Sequence, residues 1–364
     1  MKLTAKVKLQ PNKEQYQTLL ETLKRANTAC NYVSDVAWQE QVFTAFSLHK
    51  TLYYAVKERF DFTAQIVVRV LGKVADAYKC DKKTQRFFKP HGAFPYDDRI
   101  LRWYANEVSI WTLSGRQRIP FVAGERQLEL LQNQRGESEL AFVDGSFYLF
   151  ATCEVTEPDP RDVSEYLGID LGIVNIAVDS MGTTYTGNKL NALRKRQAKL
   201  RAKLQSKNTK SAKRLLKKRR RKEMRMANDI NHSISKKIVE MAQRHFQGIA
   251  LENLTGIRER ITVRKSQRRQ HSSWAFADLR AKIDYKTALN GIPILFVDPR
   301  NTSRTCPICG CIDKRNRQSQ NSFLCIGCGY SAPADFNAAC NIARRAAVVQ
   351  PNAVGYGLTA SPRL

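Results

Sequence analysis

"EYLGIDLGIVNIAV", Glu165 to Val178, is the stretch on which the reading of this chain turns. It begins as a short apolar strand and continues into a second one. Asp170 stands where the first apolar run ends, with Gly168 and Gly172 on either side. Burying an unpaired carboxylate costs several kcal/mol. Either Asp170 makes a tight turn, or something positive meets it.

The elements that follow supply a frame for Asp170. Strands are expected near 166–170, 174–179 and 183–186, then a long basic helical region over about 190–245. "GIALE" (248–252) reads as a strand, 275–289 as a helix and "IPILFV" (292–297) as a strand. A cysteine-rich loop (301–332) precedes a closing helix over about 334–347. Three meandering strands, then helix, strand, helix, strand and helix make a ribonuclease H-like topology, one mixed sheet flanked by helices.

Three carboxylates occupy special points of that order. Asp170 ends the first strand, Glu252 ends the fourth, and Asp335 opens the last helix in "PADFNAACNIARRA". In such a sheet these ends lie side by side. Like charges raise one another's pKa, so the cluster needs counter-charge. Two Mg²⁺ (or Mn²⁺) ions, about 3.5–4 Å apart, would supply it and could activate water on a phosphodiester. Singly, each residue has a plainer role. Asp170 can be a turn aspartate, Glu252 can pair with Arg258, and Asp335 can cap its helix.

"CPICGCIDKRNRQSQNSFLCIGCGY" holds Cys306-x-x-Cys309, then fifteen residues, then Cys325-x-x-Cys328. Four thiolates satisfy tetrahedral Zn²⁺ with no open position, a structural site. Gly310 and Gly329 are read as letting backbone amides approach sulfur. Cys311 is the rival ligand.

A net charge of +28 and 43% hydrophobic residues describe a globular protein whose partner is a polyanion, nucleic acid before acidic membrane. No stretch approaches the roughly 20 apolar residues of a membrane span. The start, "MKLTAKVKLQ", reads as a strand and not as a signal peptide. Cysteine usage points to a reducing compartment.

Eighteen of the thirty-seven residues from Lys189 to Arg225 are Lys or Arg, and Glu223 is the sole acid among them. Such density needs phosphates to neutralise it, and Lys217, Lys218, Arg219, Arg220 and Arg221 are the chosen nucleic-acid-binding candidates. A second basic run, "RERITVRKSQRRQHSS" (258–273), is read as a lid or linker beside Glu252. Phe88, Tyr96, Trp103 and Trp111 are either base-stacking or, more simply, core residues.

Before residue 160 the pattern differs. Residues 3–9 read as a strand, Asn12 to about Phe88 as helical, and 92–157 as strands, "LELLQNQ" among them. Asp144-Gly145 signals a hairpin. "EPDPRD" (157–162) reads as a linker. The front is thus a β-barrel-like domain with a helical insertion after its first strand.

The segments "GIDLGIVNIAV", "ALENL", "WAFADLRAKIDYKTALNGIPILFVDPRNTSRTCPICG", "FLCIGCGY" and "ADFNAACNIARRA" together resemble the TnpB (OrfB-type) proteins of insertion sequences, relatives of type V CRISPR effectors. "GAFPYDDRILRW" and the helical front match more loosely. The resemblance implies an α/β multi-domain protein. A wedge-like β-barrel (1–10 and 89–160) carries a helical recognition lobe (11–88). A RuvC-like nuclease (163–300 and 333–364) carries an inserted zinc ribbon (301–332). It implies Asp170, Glu252 and Asp335 as the nuclease triad holding magnesium, and Cys306, Cys309, Cys325 and Cys328 as zinc ligands. Implied partners are a guide RNA from the element's end and double-stranded target DNA, with no membrane. A monomer or a dimer on one RNA, in a prokaryotic cytoplasm at the nucleoid, is expected. Ala334 departs from the basic residue that many relatives carry there. The expected function is an RNA-guided DNA endonuclease that cuts next to a short element-specific motif by two-metal-ion hydrolysis. A DNA strand-transferase is the alternative that the ribbon before the last helix and the basic front lobe disfavour, and a catalytically silent RNA-guided DNA-binding protein the one that the intact triad disfavours.

Overall fold

A computed structural model describes residues 1–172, 175–253 and 276–348. The chain divides into two compact units, with the boundary at Thr156–Glu157.

The first unit is built on a seven-stranded antiparallel sheet. Its strands are β1 (Lys2–Leu9), β2 (Phe94–Tyr96), β3 (Leu101–Trp103), β4 (Glu107–Thr112), β5 (Gly115–Val122), β6 (Gln134–Val143) and β7 (Ser146–Glu154). They run in the order β2-β6-β7-β1-β5-β4-β3. β2 and β3 form opposite edges, yet only residues 97–100 join them. So few residues span at most about 15 Å, so the edges are drawn together and the sheet is nearly a closed barrel. Asp144 and Gly145, both at positive φ (51° and 80°), make the expected tight turn between β6 and β7.

Three helices, α1 (Lys13–Glu40), α2 (Ala45–Phe60) and α3 (Ala64–Cys80), follow β1 as expected. The helical run stops at Cys80, short of Phe88, because Asp81 is extended. "LELLQNQ" is not a strand. Glu125–Gln132 form α4, since Glu, Arg, Gln and Leu are strong helix formers and no β-branched residue interrupts them. Leu130 and Leu131 pack it against Ala5, Ala151 and Cys153. Tyr96 is fully buried, while Phe88, Trp103 and Trp111 pack on the core. The core reading of these aromatics holds.

The second unit contains β8 (Tyr166–Asp170), β9 (Asn175–Asp179), β10 (Thr184–Thr186), β11 (Gly248–Glu252) and β12 (Ile294–Val297), ordered β10-β9-β8-β11-β12. β8, β11 and β12 are parallel; β9 and β10 are antiparallel. The basic region is two helices, α5 (Asn188–Lys207) and α6 (Lys210–Arg244). Asn208 adopts a left-handed conformation (φ 46°), and Thr209 caps α6 by accepting from the Ala212 amide. α7 (Phe276–Leu289) and α8 (Ala334–Val348) complete the flanking layers.

Period-two alternation sorts the sheet's side chains between those layers. Leu167, Ile169, Ile249 and Leu251 pack against Ile234, Ile238, Leu279 and Ile283 of α6 and α7. Tyr166 and Ala250 pack against Ile342 and Ala346 of α8. Gly168 lies under α8. A Cβ there would lie 2.1 Å from the Ala339 carbonyl oxygen, so only glycine lets the helix press this close.

Candidate metal centres and basic surface

The same alternation puts Asp170 on the α8 side of β8, two residues beyond Gly168. It puts Glu252 on the α8 side of β11, two residues beyond Ala250. The parallel register pairs Ile169 with Leu251, which sets Glu252 beside Asp170 at the carboxyl ends of the strands. Asp335 lies in the first turn of α8. Three carboxylates far apart in sequence thus converge.

Their surroundings differ. Asp170 has no hydrogen-bond donor among the described residues. Burial, reinforced by the neighbouring Glu252 and Asp335 charges, pushes its carboxyl up to about 8, and Arg317 opposes that rise. Glu252 is also raised by burial, while a 2.6 Å hydrogen bond from the Thr302 hydroxyl works against it. Asp335 accepts from Asn175 Nδ2 at 2.9 Å. Sequence reading missed Thr302, Asn175 and Arg317. None of the three carries a signal in the sequence that names its carboxylate.

Asp179, in the same sheet, is a useful contrast. It is fully buried, yet it accepts from the Met181 and Thr183 amides and the Tyr185 hydroxyl. Its charge is answered by protein. That of Asp170 meets no hydrogen bond among the described residues and only the opposing charge of Arg317, and hard carboxylate oxygens gathered in this way suit a divalent cation.

The cysteines present a closed site. The sulfurs of Cys306, Cys309, Cys325 and Cys328 all lie within 4.8 Å of one another. Cys306 to Cys328 is 3.6 Å and Cys309 to Cys325 is 3.5 Å. Zn–S bonds of ~2.3 Å in a tetrahedron require S···S edges of about 3.8 Å, so the quartet fits Zn²⁺. Cys311 stands outside the quartet. Gly310 and Gly329 have φ of 75°, and their amides donate to the Cys306 and Cys325 carbonyls rather than to sulfur. The amides that reach sulfur belong to the residues just after these glycines, Cys311 on Cys309 and Tyr330 on Cys328, and to Cys328 and Gly327 on Cys325, the last at 3.4 Å, so the glycine turns do bring amides to the thiolates. Asn316, fully buried, ties the two knuckles together. It donates to the Arg304 and Cys311 carbonyls and accepts from the Ile326 amide. Ala334 is buried against this cluster.

The quartet is the one such ligand group among the described residues that closes within 4.8 Å. The three carboxylates spread wider, as ligands shared between two ions 3.5–4 Å apart can.

α5 and α6 are joined by an Arg201–Glu223 ion pair (2.6 Å) and an Arg219–Gln197 hydrogen bond (2.9 Å). The one acid of the basic segment is used to hold the hairpin. Lys217, Lys218 and Arg220 are exposed, whereas Arg219 and Arg221 are half-buried. The basic run 258–273, with Arg258, lies outside the described residues. Among the described residues, no helix is long and apolar enough to cross a membrane.

The family model described as "Probable transposase" (OrfB of IS605) matches residues 150–257, and "Cas12f1-like, TNB domain" matches 276–342. A CRISPR-associated endodeoxyribonuclease Cas12f1 from Sulfoacidibacillus thermotolerans is 46% identical over 114 residues, 31% of this chain and 26% of that protein. The match therefore spans about a quarter of that relative. A TnpB-like protein from Methanocaldococcus jannaschii is 30% identical over 200 residues, 51% of this chain and 71% of that one. A cryo-EM structure of a Cas12f1–sgRNA–target DNA complex shares the fold with a TM-score of 0.63 at 17% identity, over 90% of this chain and 82% of that one. With the carboxylates and cysteines arranged as they are, the chain belongs to the TnpB-like family.

Proposed function

We propose that this protein is an RNA-guided DNA endonuclease of a transposable element, cutting DNA next to a short element-specific motif. The observation that carries the reading is the convergence of Asp170, Glu252 and Asp335, where among the described residues no hydrogen bond meets Asp170 and its carboxyl is raised despite Arg317. The mixed-sheet order supports a RuvC, ribonuclease H-like assignment for 163–300 and 333–364, with the zinc ribbon at 301–332. The nearly closed barrel supports the wedge assignment for 1–10 and 89–160, and the three helices support the recognition lobe at 11–88.

Asp170, Glu252 and Asp335 would hold Mg²⁺, which supplies Lewis-acid charge for phosphodiester hydrolysis when bound. Asp170 must lose its proton to serve. Asn175 orients the Asp335 carboxylate and Thr302 that of Glu252, as outer hydrogen bonds commonly orient ligands. Zn²⁺ at the cysteine quartet holds the ribbon together. Guide RNA and target DNA account for the +28 charge.

The family description "Probable transposase" keeps the strand-transferase alternative in view. Purified complex, assembled with RNA, is tested on supercoiled DNA carrying a matched target. Exchange of the guide should move the cut. Cutting of the same site by RNA-free protein would favour the strand-transferase.

A further inference from the structure

The loop between α3 and β2 is fastened to the helices beneath it. Asp81 accepts from the Lys83 amide (2.7 Å) and the Thr84 hydroxyl (2.8 Å). The Ser34 hydroxyl donates to the Arg86 carbonyl at 2.6 Å, and the Arg86 amide donates to the Tyr78 hydroxyl at 3.3 Å. Asn31 clasps the next residue but one. Its Nδ2 donates to the Phe88 carbonyl (3.0 Å), and its Oδ1 accepts from the Phe88 amide (2.7 Å). Ser34 and Tyr78 are fully buried. The residues before and after Phe87 are therefore held by rigid helical side chains. Phe88 turns inward, where the Lys73 ammonium lies 5.0 Å from its ring centroid. Phe87 itself is 74% exposed. Lys82, Lys83 and Lys89, within five residues of it along the chain, are exposed as well.

A solitary exposed apolar side chain is ordinary. This one sits on a backbone fixed on both sides, so its presentation carries little further entropic cost on binding. Lysines this near in the chain disfavour burying it in an apolar protein surface. They suit the phosphates that flank a nucleobase, and the ring suits the base itself. We infer that Phe87 is a stacking finger for an unpaired base of a DNA strand. The choice of DNA rests on the guided reading above. A guide's bases are consumed by pairing with one strand, and the displaced strand's bases then lack partners.

The test uses the full chain assembled with RNA and two labelled DNA single strands, one normal and one with an abasic run. The wild type should prefer the normal strand by about 5- to 100-fold, the range of stacking on one base. Phe87→Ala should bind both strands equally, and Phe87→Trp should restore the preference. A matching RNA strand is the third arm. Tighter Phe87-dependent binding of RNA than of DNA would overturn the assignment to DNA. Unchanged preference in Phe87→Ala, or equal loss on normal and abasic strands, would overturn the finger. Guided cutting by the wild type is scored in parallel, and its absence would overturn the guided reading separately.

Discussion

The four cysteines lie within one stretch, Cys306 to Cys328, and close on one another through local turns. The three carboxylates are drawn from Asp170, Glu252 and Asp335, and meet only when β8, β11 and α8 pack. The first site is made by the residues around it. The second is made by the sheet. A local site can fail without disturbing the sheet, whereas the carboxylate centre depends on every layer. The two also differ in completeness. The quartet supplies the four ligands of a tetrahedron, while under the proposed function the three carboxylates would leave positions open for a substrate.

Largest in free energy is the expected loss at the ribbon. Structural zinc contributes about 10–16 kcal/mol of apparent binding energy in zinc-finger peptides. Cys306→Ser or chelation should therefore unfold 301–332, seen as loss of one zinc per chain and protease sensitivity there. Cys311→Ser should do neither. If the two variants behaved in the opposite way, the quartet would be misassigned.

Next come two changes in the sheet that leave Asp170, Glu252 and Asp335 themselves unsubstituted. Asp179→Ala orphans the Met181 and Thr183 amides and the Tyr185 hydroxyl, at about 1–3 kcal/mol each, read in a denaturant melt. Gly168→Ala drives a Cβ into the α8 backbone. It should cost about 3 kcal/mol or more and displace Asp335 with its helix. Cutting that survives Gly168→Ala undiminished would break the claim that α8 must press on β8.

Smaller still is Asn175→Ala, which frees the Asp335 carboxylate to rotate. Metal affinity should drop about 10- to 100-fold with the fold intact, measured by Mn²⁺ titration. No change would reduce the Asn175 hydrogen bond to a structural detail.

The last effect is one of pH, and a bound metal removes it. In metal-free protein the Asp170 carboxyl is raised from 3.8 to about 8. Folding then holds a proton that the unfolded chain releases. The Asp170 contribution favours the fold at acid pH, declines as pH rises through 4 to 8, and is flat above. Asp170→Asn should abolish that slope, and saturating Mg²⁺ should suppress it. A slope of opposite sign in the wild type, absent from the variant, would contradict the burial argument.

The sites were legible in proportion to how local they are. Cysteine spacing announces its own geometry, and Asp144-Gly145 announces its turn. Asp170, Glu252 and Asp335 were legible through the element order, because strand ends in such an order lie together. Thr302 and Asn175 were not, since nothing in their neighbourhood says which carboxylate they meet. Arg219 reads as one more exposed cation, yet Gln197 on the facing helix draws it inward. "LELLQNQ" alternates too briefly to separate strand from helix, and propensity decided it. Phe87 and Phe88 are indistinguishable as letters; Asn31 and Ser34, more than fifty residues earlier, determine which one faces water.

The central claim is that the carboxylates gathered at the ends of β8 and β11 form a catalytic metal site, and guided cleavage by Asp170→Ala tests it most directly. RNA-loaded wild type and variant are compared on a matched DNA target over a Mg²⁺ series, with target binding measured alongside. Cutting should fall about 10³-fold or more, because the lost metal charge is worth several kcal/mol at the transition state, while target binding stays nearly unchanged. Cleavage by Asp170→Ala at the wild-type rate and with the wild-type Mg²⁺ dependence would contradict the account.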